Sequence, residues 1–487
     1  MRKRRLIESF YNWISMAGAL IALTAFGVTL TMMMLEWASG RENIYLGIVT
    51  YIAMPAVLIF GLLLIPFGMW RVRRKEQRAD LPTLDLNNPK HRLTATIFTI
   101  GSMVLIVFTS FGTYEVYEFS ESNAFCGETC HAVMTPQATT NQHSSHAEVE
   151  CVTCHVGSGA THYLKAKLNG VNQLIGVLTG DYARPVRLPA HGMRTGKEIC
   201  QSCHVPENDH GLYHQHFERY KMNKKSSRHV YDLLIDVGGF DRVSGEANGA
   251  HWHVFNKVEY AATDELMQEI PWMQVTYTDQ STRVFAVEGA SKPEGALHNV
   301  DCTTCHNRKG HEFATPFHAV DAAITKGYIS HEIPRIKAAS IEALAEAAKA
   351  EDKTNGLAAI GEALRTYYDD EDPDVLDEFA SQLDVATQSL KDIYQANYYP
   401  EMKSNWTSHP NNMGHFYAPG CARCHDGKHQ ADDGETLSYE CSGCHTIIAY
   451  ENPKGELTSD LTGLEYVHPD PDEEDWTDTP CYECHGP

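Results

Sequence analysis

The 14 cysteines constrain this 487-residue chain more than any other feature, because every one belongs to a pair followed at once by a histidine. In order the motifs are Cys126-Gly-Glu-Thr-Cys130-His131, Cys151-Val-Thr-Cys154-His155, Cys200-Gln-Ser-Cys203-His204, Cys302-Thr-Thr-Cys305-His306, Cys421-Ala-Arg-Cys424-His425, Cys441-Ser-Gly-Cys444-His445 and Cys481-Tyr-Glu-Cys484-His485. Two thiols at this spacing add to the two vinyl groups of one porphyrin, and the next residue then offers an imidazole nitrogen to the iron. A lone Cys-x-x-Cys reads equally as a redox or zinc motif, whereas Cys-x-x-Cys-His marks covalent haem c. The first motif has an extra residue between its cysteines and is counted with the others. The expectation is seven covalent haems c, with His131, His155, His204, His306, His425, His445 and His485 as iron ligands. No cysteine is left for a disulfide, a thiolate metal site or a reactive thiol.

Histidine is in surplus. Of 26 histidines, seven follow the motifs. A six-coordinate low-spin haem takes a second axial ligand, usually His or Met. His143, His146, His162 and His191 are within reach of the first three motifs. His210, His214, His216, His251, His253, His298, His311 and His318 surround the fourth, and His409, His415, His429 and His468 surround the last three. His311, His415, His429 and His468 lie near or between motifs in short segments and are the expected second ligands. Met134, three residues after His131, reads either as a ligand of the first haem or as packing against its porphyrin.

Three apolar stretches, Phe10–Leu35, Ile44–Trp70 and Leu93–Gly112, are long enough to span a bilayer. The first is too long for a signal-peptide core and lacks a convincing small-residue cleavage site after it, so all three are expected to remain as an anchor. Arg2, Lys3, Arg4 and Arg5 precede the first stretch, and Arg71, Arg73, Arg74, Lys75, Arg78, Lys90 and Arg92 lie between the second and third. The positive-inside rule therefore puts the N-terminus in the cytoplasm and everything after about residue 113 in the periplasm. The expected location is the bacterial inner membrane. No span carries an ionisable residue in its middle, which removes an intramembrane proton relay.

Residues 1–112 hold 12 basic and 6 acidic residues, whereas the remainder holds 28 and 57. That acidity disfavours nucleic acid as a partner. It suits a basic soluble redox partner, and equally serves solubility.

The expected fold is a mainly α and irregular multihaem cytochrome c. Residues 1–115 form a membrane anchor, a bundle of three transmembrane helices. Residues 116–320 form a haem domain (haems 1–4) with an insert at 205–301, 321–400 a helical spacer, and 401–487 a three-haem domain. Trp272–Thr278 and Arg283–Val287 flank a polar turn and read as a small β-hairpin. Residues 335–397 carry helical periodicity, with breaks expected at Thr354-Asn355-Gly356 and Asp372-Pro373.

The stretch from Phe125 to His204 resembles the NapC/NirT/NrfH family of membrane quinol dehydrogenases. Phe125-Cys126 lies just outside a span, the second motif follows shortly, and the third comes about fifty residues later. Three spans, seven motifs and a fourth motif displaced downstream depart from that family's usual single span and four haems. They resemble the layout of seven-haem inner-membrane cytochromes of metal-reducing bacteria, the ImcH type. The resemblance implies menaquinol as substrate beside the first haem, the lipid bilayer as a partner, and a periplasmic c-type cytochrome or reductase as acceptor. In the segment from His162 to Gly170 it places a lysine at the quinol, which is Lys167 here; a snorkelling interfacial lysine is the plain alternative. Two other functions remain open. One is a terminal reductase of a nitrogen or sulfur oxyanion at an open haem, with His251, His253 and Tyr260 as pocket donors. The other is a passive anchored electron-transfer subunit.

Overall fold

Small residues set the packing of the N-terminal helices. Residues 12–39, 49–75, 86–129, 131–157, 159–186, 194–205, 208, 210–277, 279–295, 297–451, 455–469 and 479–486 are described in the structure, a computed structural model. Helices α1 (Trp13–Ser39) and α2 (Met54–Lys75, entered through a π-turn at Val49–Ala53) lie against each other. A Cβ added to Gly18 would fall 2.6 Å from the Gly61 carbonyl oxygen, and one added to Gly61 would fall 2.7 Å from the Ala22 nitrogen. Ala22, Ala25 and Leu58 fill the seam. Lipid tails are as apolar as leucine, so close backbone approach, not apolar burial, drives such pairing. Leu20, Leu23, Phe60 and Leu63 point outward. Trp13–Met32 and Met54–Val72 are long and apolar enough to cross a membrane. The third expected span lies within α3 (Pro89–Glu121), whose Phe108 ring meets Phe26 edge-on at 5.2 Å. The basic residues 2–5 and Arg78 lie outside the described residues.

The chain divides into two compact units, residues 1–134 with 150–152, and residues 135–149 with 153–487. In the second unit the insert at 205–301 contains far more than a hairpin. Strands β1 (Leu212–Tyr220) and β2 (Arg228–Asp236) pair antiparallel, and β3 (Gly239–Asp241) pairs with β4 (Glu246–Asn248). Strand β5 (Lys257–Ala261) pairs with β6 (Trp272–Thr276), which pairs with β7 (Thr282–Ala286); β8 (His298–Asn299) closes the other edge. Strands β1 and β2 carry no clear period-two signal, because Leu-Tyr-His-Gln-His-Phe-Glu-Arg-Tyr and Arg-His-Val-Tyr-Asp-Leu-Leu-Ile-Asp lack a clean apolar alternation. Strand β2 also pairs with β9 (His445–Glu451), which pairs with β10 (Leu457–Leu464). One sheet therefore joins the insert to the C-terminal segment.

Most of the conventional apolar core lies in a helical block: α10 (Pro316–Thr325), α11 (Ile336–Ala347), α12 (Lys353–Glu371), α13 (Asp374–Glu378) and α14 (Ala380–Asn397). Ile336, Leu344, Ile360, Tyr368, Leu390 and Tyr394 are fully buried there. The break expected at Thr354-Asn355-Gly356 is displaced. Asp352 accepts the Asn355 N–H at 2.8 Å and caps α12, so residues 354–356 begin a helix. Gly356 serves close packing, because a Cβ there would meet the Tyr394 hydroxyl. Asp372 does end α12. Losing an N-cap side chain costs about 1 kcal/mol. Asp352→Ala is therefore expected to lower the melting temperature without changing the haem spectrum. Lys337 and Asp321 form a buried ion pair at 2.7 Å, and Asp321 also accepts the Tyr220 N–H at 3.1 Å. This pair ties the helical block to β1.

Candidate functional site

Four motifs open on one-turn helices: α5 (Cys151–His155), α7 (Gly196–Cys200), α9 (Cys302–Cys305) and α15 (Cys481–His485). Such short turns draw little strength from propensity and are fixed by caps and neighbours. Thr195 and Glu198 form a capping box at α7, and Asp301 accepts the Thr303 N–H at α9. Of the first motif, Phe125–Thr129 form a π-turn; Cys130 and the His131 side chain lie outside the described residues.

Five motif histidines face a second histidine across a nearly constant gap. His155 faces His311 at 6.0 Å between ring centres, His204 faces His146 at 6.1 Å, and His425 faces His253 at 6.0 Å. His445 faces His415 at 6.2 Å, and His485 faces His468 at 6.4 Å. An iron held by two imidazoles, with metal–nitrogen bonds of about 2.0 Å and about 1.2 Å from nitrogen to ring centre, separates the centres by about 6.4 Å. The gaps match that requirement.

The orientation of the second rings matches as well. Nδ1–H of His311 donates to the Gln137 carbonyl at 2.9 Å, that of His253 to Ala250 at 3.0 Å, and that of His146 to Lys309 at 3.4 Å. Each bond fixes the tautomer and leaves the Nε2 lone pair for a metal. Burial depresses the pKa of His155, His415, His425 and His445, and brings His311 and His485 to about 4. Buried imidazoles therefore stay neutral, which is the ligating form.

Among the expected second ligands, His311, His415 and His468 stand opposite motif histidines. His429 does not. Its Nδ1 meets Asp426 at 2.9 Å and its Nε2 meets the Ile270 carbonyl at 2.6 Å, so both nitrogens are engaged by protein. Proximity to the fifth motif suggested it as a ligand; the Asp426 side chain turns it into a structural tie. His146 and His253 were missed as partners. His146 carries no local signal, because its partner lies 58 residues away in sequence. His253 belongs to the His251-Trp-His253 run, read above as a pocket donor. Met134 lies half-buried on α4 (His131–Gln142).

His306 differs from the other motif histidines. Among the described residues no ring faces it across a comparable gap. Burial, then Lys309, His251 and His204, lower its pKa to about 4. His251 stands edge-on to His210 at 5.9 Å, and its Nδ1 is buried without a hydrogen-bond partner.

Neighbouring attachment points follow chain order. In the N-terminal unit the Cys126 and Cys151 thiols hydrogen-bond. In the second unit Cys154 lies within electrostatic reach of Cys200, and the Cys200 and Cys302 sulfurs adjoin. The same electrostatic reach joins Cys305 to Cys421, Cys421 to Cys444, and Cys441 to Cys481.

Helix α6 (Ala160–Thr179) carries Lys167. It exposes Leu164, Leu168, Val171, Ile175 and Leu178. Their spacing of four, three, four and three residues makes one continuous apolar stripe. The Lys167 Nζ lies 5.0 Å from the centre of the Tyr163 ring.

Paired imidazoles at iron spacing beside Cys-x-x-Cys-His turns, on a chain with two membrane-length apolar helices, define a multihaem membrane cytochrome of the c type. Comparison with known proteins agrees. The N-terminal region of the NapC/NirT cytochrome c family matches residues 88–195. Cytochrome c-type protein ImcH of Geobacter sulfurreducens is 35% identical over 501 aligned positions, covering 100% of this chain and 97% of that protein. Cytochrome c-type protein NrfH of Wolinella succinogenes is 40% identical over 79 residues, covering 16% of this chain and 44% of that protein. No solved structure matches the chain. The chain belongs to the NapC/NirT-type membrane cytochromes and is of the ImcH-like kind. Covalent haem c is the cofactor of that family.

Proposed function

We propose that this cytochrome oxidises menaquinol at the membrane face and passes the electrons through seven haems c to a periplasmic electron carrier. The observation that carries the reading is the set of five histidine pairs at 6.0–6.4 Å. Irons closed on both sides by imidazole exchange electrons and bind no substrate. The haems supply the one-electron redox chemistry, and the chain supplies spacing, ligation and exclusion of water. His146, His253, His311, His415 and His468 are the proposed second ligands, with Met134 kept for the first haem. The chain-order proximity of the attachment points supports a single unbranched path. The apolar stripe of α6 supports a helix lying in the membrane interface, where Lys167 binds the quinol oxygen. The N-terminus lies in the cytoplasm and the haem region in the periplasm.

A second reading has one observation in its favour. Among the described residues His306 lacks a facing ring, so the fourth haem is the candidate for an open position and reduction of a small oxyanion. Nitrite and hydroxylamine separate the two. The proposed path predicts that neither is turned over by the dithionite-reduced protein, and that the intact mass shows seven haems. Turnover of either compound would establish the reductase, and a mass showing six haems would remove the first motif from the path.

A further inference from the structure

The fourth and fifth motifs are joined by a buried arginine. Arg423 lies inside the fifth motif and is 8% exposed. Its three nitrogens each donate to a backbone carbonyl: Nε to Gly420 at 2.8 Å, one terminal nitrogen to Met267 at 2.9 Å, and the other to Thr304 at 2.8 Å. Thr304 lies between the two cysteines of the fourth motif. Asn412 donates to the same carbonyl at 3.0 Å. The guanidinium makes no ion pair with a carboxylate among the described residues. Arg423 itself stands between Cys421 and Cys424 of the fifth motif, and the carbonyl it grips stands between Cys302 and Cys305 of the fourth.

A scaffold tie would not need a charge. Three carbonyls hold the guanidinium in place with no carboxylate in direct contact among the described residues, Asp301 and Asp426 act on the same two motifs from farther off with the opposite sign, and a buried cation is expensive unless something nearby gains from it. Two haem attachment sites are what it lies between. A fixed cation favours whichever state of its surroundings carries one electron more.

We propose that Arg423 is a positioning residue that couples the fourth and fifth haem sites and raises the reduction potential of both, so that electrons cross from the NapC/NirT-like part of the chain into its C-terminal part. This rests on the electron-path reading. Its test needs no quinol, so the two fail independently. The neighbours available for the role are few: Arg308 is also buried, but its Nε donates to Pro410 at 3.4 Å and it reaches toward His311 and His409 instead.

The experiment is a mediated potentiometric titration of the purified full-length protein, followed by haem absorbance. Arg423→Gln is expected to shift the one-electron equilibrium of two haems about tenfold toward the oxidised form, which is about 59 mV for one electron. Arg423→Lys keeps the charge and should restore most of that shift. Should Arg423→Gln not assemble, Gln268→Glu gives the same reading. It is isosteric and adds a carboxylate beside Met267, whose carbonyl Arg423 grips, so the same haems should move in the same direction. Unchanged potentials in a fully haem-loaded Arg423→Gln or Gln268→Glu protein overturn the proposal and leave Arg423 a scaffold tie. So does an Arg423→Lys protein that behaves as Arg423→Gln.

Discussion

Replacing His253 by leucine is expected to convert one haem from low-spin to high-spin while the others keep their spectrum. His253 stands 6.0 Å from His425, and its Nδ1–H is committed to the Ala250 carbonyl at 3.0 Å. The ring therefore keeps one lone pair, on Nε2, for the iron of the fifth motif. Leucine fills similar volume, so the short helix α8 (Trp252–Phe255) should persist. His429→Leu is the control. His429 is four residues beyond His425 in sequence and buried, but it spends both nitrogens on Asp426 and Ile270. Its loss removes two buried hydrogen bonds and should lower stability by about 1–3 kcal/mol with no change of spin state. Electron paramagnetic resonance or magnetic circular dichroism of the oxidised proteins reads the difference. A high-spin signal in His429→Leu, with none in His253→Leu, would reverse the assignment of the fifth haem's second ligand.

Lys167→Met is expected to slow menaquinol oxidation roughly ten- to a hundredfold. Methionine keeps the aliphatic stem along α6 and removes only the ammonium. A charge-assisted hydrogen bond contributes about 1.5–3 kcal/mol, and each 1.4 kcal/mol off a barrier is about a factor of ten in rate. Lys167 borders the exposed stripe of Leu164, Leu168, Val171, Ile175 and Leu178, and a quinol entering from lipid would meet that stripe first. Reduction by dithionite, which enters at any exposed haem, should be unaffected. A variant that oxidises a menaquinol analogue at the wild-type rate would make Lys167 a snorkelling anchor with its stem along Tyr163.

What the sequence could and could not reveal follows from range. The attachment motifs are local: cysteines and histidine share one turn of chain, so their chemistry is written in consecutive residues. The apolar spans are equally local. The proposed second ligands are not. His311 reaches the second motif's His155 across 156 residues, and His146 reaches forward to His204. Nothing near either residue specifies its partner. His429 shows the opposite error, since closeness in sequence to His425 suggested ligation and the Asp426 carboxylate captured the ring instead. The helices of residues 335–397 were legible from their period, but Gly356 was taken for a breaker when it makes room for Tyr394. The sheet joining β2 to β9 was hidden because its strands lie more than two hundred residues apart and nothing near either one specifies its partner.

The most direct measurement is single-turnover reduction of the oxidised wild-type protein, in bilayer nanodiscs, by a menaquinol analogue. The account predicts haem reduction without any other subunit and onward transfer to an added soluble c-type cytochrome. A protein that dithionite reduces fully and menaquinol leaves oxidised would contradict it, and would make this chain a passive electron carrier fed by another subunit.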